Sequence, residues 1–135
     1  MENSQFVQSV YSLLGNKTAN TKKHGNLLFS SGILYSYGTH YPLQFKIKNY
    51  IFVNTSGYSA TTGRHIGLCE RDFEVKLHFI ESYSEVNKKN VLKALKLEKE
   101  CLEKEISELS KRAWKQRENK ENRISEIKKA INTIK

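Results

Sequence analysis

Residues 86–135 contain neither proline nor glycine and are built largely from lysine, glutamate, leucine and isoleucine. A stretch of that length without either helix breaker is helical, and this constrains the chain more than any other feature. Positions 92, 95, 99, 102, 106, 109, 113, 116 and 120 follow three-four spacing, with Leu92, Leu95, Leu102, Ile106, Leu109 and Ala113 supplying an apolar seam. A second seam follows at Ile124, Ile127, Ile131 and Ile134. Between them Gln116 and Lys120 are polar, and the step to Ile124 is four residues where three would continue the alternation. Two architectures satisfy this pattern. A continuous helix would be on the order of 70 Å long at ~1.5 Å per residue and would have to dimerise to hide its seam. A turn at Asn119 or Asn122 would instead fold the halves back on each other. Trp114, beside the seam, is large enough to anchor either packing.

The preceding 85 residues carry different signals. Phe6, Val7, Val10, Tyr11, Leu13 and Leu14 recur at helical spacing, with Asn3 or Ser4 as N-cap and Gly15 as C-cap. Residues 16–25 have no aliphatic side chain larger than alanine and are expected as a loop, whose Lys17, Lys22, Lys23 and His24 could contact phosphates of a polyanion docked nearby but are more commonly solvated in such a run. Strand chemistry begins at Leu27. Leu27 to Phe29 and Ile33 to Tyr37 flank a Ser30-Ser31-Gly32 turn. Leu43, Phe45 and Ile47 alternate with Gln44, Lys46 and Lys48, and Tyr50 to Val53 should pair with them through a very short connection. Thr61 or Thr62 is expected to cap a short helix through Arg64, His65, Ile66, Leu68 and Cys69, weakened by Gly63 and Gly67. Phe73, Val75, Leu77 and Phe79 predict a further strand. The expected fold is α+β: a small antiparallel sheet with short helices over residues 1–85, followed by a long helix or helical hairpin, coiled-coil-like, over residues 86–135.

Charge narrows the class of partner. The 135 residues carry a formal net charge of +9, and residues 86–135 hold fifteen lysines and arginines against eight glutamates. Such a balance favours polyanions. The densest cations, Lys111, Arg112, Lys115, Arg117, Lys120 and Arg123, ring the helix and are candidates for phosphate contacts. Lys46, Lys48, Arg64 and His65 could extend that surface, since Tyr35, Tyr37, His40, Tyr41, Tyr50, Phe52 and Tyr58 stand near them in sequence. Aromatics at this density more often fill the core of a small sheet. His40, Arg64 and His65 are required by no periodic pattern and form a possible functional constellation. If they converged with Tyr37 or Tyr58, they would suffice for metal-independent RNA cleavage.

Other chemistry finds no support in the residues. There is no phosphate-binding P-loop and no GxSxG elbow, and Asp72 is the single aspartate, so no catalytic residues, metal or cofactor are expected. Cys69 and Cys101 fit neither a disulfide framework nor a zinc spacing, which points to a reducing compartment. No basic n-region precedes an apolar core at the N-terminus and no apolar run reaches ~18 residues, so a cytoplasmic protein without membrane contact is expected.

The phrases YSYGTHYPL, IFVN and GYSATTGRHI, within residues 33–70, resemble an uncharacterised small-domain family of bacterial and phage-associated proteins. The likeness rests on Tyr37, Gly38, His40, Pro42, Leu43, Val53, Asn54, Tyr58, Ser59, Thr61, Thr62, Arg64 and His65. It implies a mobile-element setting, in which anti-CRISPR inhibitors offer an analogy. The expected function is a non-enzymatic, basic accessory protein that binds the phosphate backbone of nucleic acid, or a nucleic-acid-bound host complex, as a homo-oligomer with a dimer favoured. The alternatives are an interaction module using the C-terminal helices and a ribonuclease using His40 and His65.

Overall fold

The structure is a computed structural model that describes residues 1–37, 41–48, 50–55, 60–69, 75–77 and 86–135. Within them the element order is α1 (Asn3–Tyr11), β1 (Lys22–His24), β2 (Leu27–Ser30), β3 (Ile33–Ser36), β4 (Tyr41–Ile47), β5 (Tyr50–Asn54), α2 (Ala60–Cys69), β6 (Val75–Leu77), α3 (Lys88–Glu108) and α4 (Trp114–Ile134). The strands lie in sequence order in one sheet. Five are antiparallel, and β6 joins parallel to β5 after the α2 crossover. The architecture is α+β, as the sequence predicts.

Two apolar clusters sandwich the sheet. On one face Phe6, Val7 and Val10 of α1 and Ile66 and Cys69 of α2 pack with Leu27, Phe29, Leu34, Tyr41, Leu43, Ile51 and Val53. On the other, Phe45 and Phe52 meet Val91 and Leu95 of α3 and Ile127, Ala130, Ile131 and Ile134 of α4. Successive residues of β5 alternate between the clusters, as a strand buried on both faces must. In β4 the alternation breaks. Leu43 joins the first cluster, whereas Phe45 and Ile47 belong to the second, although all three were expected on one face. The register between β3 and β4 shifts at Leu34/Tyr35, so a bulge reverses which side chains point to which face. Gln44, on the supposed polar face, is thereby fully buried.

The turns hold the layers close. Ser31 and Gly32 both have positive φ, 53° and 80°, as a two-residue hairpin between β2 and β3 requires. Gly15 N–H donates to the Gly32 carbonyl at 2.9 Å, and a Cβ on Gly32 would lie 2.9 Å from Gly15 C and Asn16 N. Only glycine tolerates that approach. The segment expected as loop contains an edge strand, since Lys22, Lys23 and His24 pair with Phe29, Leu28 and Leu27. Edge pairing uses backbone groups and needs no large apolar side chain, and the His24 ring stacks on Phe6 at 5.6 Å.

The C-terminal segment is a hairpin whose turn falls at residues 109–113, earlier than Asn119 or Asn122. This gives two arms of 21 residues each. The later positions would leave α4 too short to carry Ile127, Ile131 and Ile134 back over the sheet. Asn87 caps α3 by accepting from Asn90 N–H at 2.8 Å. The polar stretch that interrupts the seam becomes the zipper between the arms: Arg123 makes a two-pronged contact to Glu98 at 3.0 and 3.2 Å, and Lys120 meets Glu105 at 2.6 Å. Trp114 anchors neither packing, being 63% exposed at the start of α4.

Candidate nucleic-acid interface

Folding the hairpin at 109–113 brings the start of α3 beside the end of α4. Residues 88–100 and 126–135 together hold eight lysines against three glutamates, whereas residues 101–125 hold seven cations against five glutamates. A groove of about 370 Å³ between the two arms is lined by Lys96, Lys99 and Glu100 of α3 and by Lys128, Ile131, Asn132 and Lys135 from the other arm. Lys96 also lines a second concavity of about 780 Å³ along α3, where Leu92 and Leu97 are flanked by Lys88, Lys89 and Lys93. Four lysines against Glu100 leave the lining with an excess of positive charge, although Lys99 Nζ also lies 3.9 Å from Glu103 Oε1 on its own helix, and an anion placed in the cleft would offset that excess. In sequence these lysines are scattered among glutamates, and only the antiparallel pairing of the arms assembles them.

The cations expected to hold phosphates divide into groups. Lys111, Arg112 and Lys115 are exposed at the hairpin tip. Arg117 donates to the Leu109 carbonyl at 3.3 Å, while Lys120 and Arg123 face α3 in the zipper. Their charge is partly met inside the hairpin. Lys46 and Lys48 are exposed, but the Lys46 stem covers Gly15 and Lys48 Nζ donates to the Lys135 backbone oxygen at 3.1 Å. Lys48 thereby ties the β4–β5 turn to the groove end of α4.

Arg64 and His65 are neighbours on α2 that differ in exposure. Arg64 is exposed, and His65 is 3% exposed against the sheet. His65 Nδ1 lies 2.8 Å from Ser36 Oγ, which lies 3.0 Å from Thr62 Oγ1, and both hydroxyls are fully buried. Burial lowers the His65 pKa, since the charged ring would lose its water. A neutral ring protonated on Nε2 accepts from Ser36, which in turn accepts from Thr62. Nearby, Tyr41 hydroxyl donates to the Asn54 carbonyl at 2.8 Å, and Asn54 Nδ2 donates to the Pro42 carbonyl at 3.0 Å. These contacts join β3 and α2, and β4 and β5, in the way buried polar groups must be satisfied. Tyr41 and Phe52 are core residues. His40 and Tyr58 lie outside the described residues.

Residues 1–85 match the model of a family of unknown function, DUF8033. The chain belongs to that family. Membership bears out the resemblance to an uncharacterised small-domain family, over a longer span than residues 33–70. No curated protein and no solved structure matches the chain. The family match takes in the sheet, α1, α2 and the His65 network, and it stops short of the helical hairpin on which the lysine groove lies. No helix among the described residues is long and apolar enough to cross a membrane.

Proposed function

We propose that this member of the family binds nucleic acid without turning it over, gripping the phosphate backbone in the lysine groove between α3 and α4. One observation carries the reading: Lys96 and Lys99 of α3, Lys128 of α4 and Lys135 just beyond it line one cleft against a single glutamate, Glu100. Backbone contacts of this kind position a polyanion without reading its sequence. In the phage-associated setting that the resemblance implies, such a protein serves as an accessory to nucleic acid or, at its most specific, as an anti-CRISPR inhibitor of a nucleic-acid-bound host complex. Self-association as a dimer would use a surface other than Ile127, Ile131 and Ile134, which pack against the sheet.

The test is fluorescence anisotropy of a labelled mixed-sequence duplex across a salt series. Four lysine contacts give a log–log slope of about −3 to −4. The double reversal K96E/K128E should abolish most of the affinity, whereas K111E/R112E should weaken it less. Undiminished binding by K96E/K128E would place the grip elsewhere, and no binding at low salt would end the proposal.

A protein partner is the second reading, favoured by the exposure of Leu97, 42%, in a concavity lined by four lysines and one glutamate, Glu100. An acidic surface presenting one aliphatic side chain would fit there. Loss of co-purification of such a partner on Leu97→Glu, with oligonucleotide binding intact, would select this reading.

A further inference from the structure

The hairpin tip differs from the rest of the helical surface. Trp114 is the chain's single tryptophan and is 63% exposed, a state rare for the side chain with most apolar area to hide. Lys115 Nζ lies 5.8 Å from the centre of its ring. Lys111 and Arg112, in the turn just before it, are exposed and enter no ion pair among the described residues. The frame beneath is fixed. Leu109 N–H donates to Ile106 and Ala113 N–H to Ser110, each at 3.1 Å, and the Arg117 guanidinium closes the turn on the Leu109 carbonyl.

An exposed indole beside Lys111, Arg112 and Lys115, none of them in an ion pair among the described residues, has the chemistry of a base-stacking contact. Lys115 lies over one face of the indole, a base would stack on the other, and Lys111 and Arg112 would hold the neighbouring phosphates. A duplex has no unstacked base to give it. We infer that the tip stacks a nucleobase through Trp114, so that the nucleic acid held by this protein is single-stranded where it meets α4. The inference rests on the phosphate-gripping reading above and adds to it: the lysine groove supplies affinity for any strand, and the tip supplies preference for an unpaired one. The sequence pointed to Trp114 only as packing, because a tryptophan next to an apolar seam ordinarily packs.

The single tryptophan makes the test direct, since all indole emission reports the tip. The full-length protein is titrated at low salt with an oligo-dT of about 16 nucleotides and with the same strand paired to oligo-dA. Indole emission and anisotropy of a label on the DNA are read together, for the wild type, W114A and W114F. Circular dichroism checks that the variants remain folded, as expected for an exposed site. The single strand should quench indole emission and the duplex should not. W114A should weaken single-strand binding about tenfold, W114F should restore most of it, and duplex affinity should be the same in all three. Single-strand binding that leaves emission and W114A affinity unchanged would overturn the stacking contact while the phosphate grip stood. Equal quenching by the duplex would also overturn it. Failure of the wild type to bind either DNA would remove both readings.

Discussion

Two buried polar residues act in opposite ways on stability. His65 is satisfied, its Nδ1 bonded to Ser36 and its pKa lowered by burial. A histidine whose folded pKa lies below its unfolded value of about 6.5 takes up its proton first in the unfolded chain. Stability is therefore fully present above pH 6.5 and falls as the pH drops through that value towards the folded pKa. Urea midpoints at successive pH values below 7 should decline, and His65→Asn, which keeps an acceptor for Ser36, should flatten that decline. An unchanged slope in the variant would show that other groups control it. Gln44 is unsatisfied: among the described residues its Oε1 and Nε2 find no partner, although the side chain is fully buried. Leaving such groups unpaired costs about 1–3 kcal/mol. Gln44→Met keeps the length of the side chain and removes both groups, so thermal denaturation should show a stabilised protein. A lower melting temperature would mean that the amide is satisfied after all.

Among the elements, α2 carries two interior glycines, which lower its own helical preference. Gly63 and Gly67 lie on its exposed side, and a Cβ on either would meet nothing within 4 Å. Gly63→Ala and Gly67→Ala should each stabilise the protein by about 0.5–1 kcal/mol, measured as a shift in denaturant midpoint at unchanged slope. A loss of stability would reveal a backbone strain or a contact at those positions. That α2 is a helix was legible, because Ile66 and Cys69 keep an apolar face despite the glycines. Its start was not: Thr61 and Thr62 lie inside the helix, and Thr62 turns its hydroxyl to Ser36 where an N-cap would have turned it to the backbone. The helical nature of residues 86–135 and the strands around Phe45 and Phe52 were equally plain from periodicity. The β4 bulge was hidden because Leu43, Phe45 and Ile47 keep period two through it, and only a third dimension shows that they serve two cores. The hairpin turn was misplaced for a related reason. Asparagines suggest a turn locally, but the length of arm needed to cover the sheet fixes where it falls. The lysine groove had no signal along the chain, since its members come from positions about thirty residues apart.

At the scale of the whole molecule, the question is whether residues 1–85 and 86–135 are separate units. The family match ends at residue 85, which by itself suggests that the hairpin is an appendage. The packing argues otherwise. Phe45 and Phe52, both fully buried, stack on each other at 5.7 Å beneath the hairpin, and Ile33, Ile47 and Tyr50 belong to the same cluster. Removing the hairpin would bare these side chains together, and fully burying a phenylalanine is worth about 1.5–3 kcal/mol. The loss from two of them alone is comparable to a good share of the ~5–15 kcal/mol that holds a domain folded. Lys48 adds a tether between sheet and α4 that disappears with the helix. The fragment 1–85 should therefore bind a hydrophobic dye, associate at micromolar concentration and lose its cooperative melt. In the intact chain, indole emission from the hairpin and near-ultraviolet dichroism dominated by the tyrosines of the sheet should change in one coincident transition. A soluble, cooperatively melting fragment, or two separated transitions, would make the sheet complete in itself. The hairpin would then be a module attached to a family domain that does not need it, and the lysine groove would be free to move relative to the sheet.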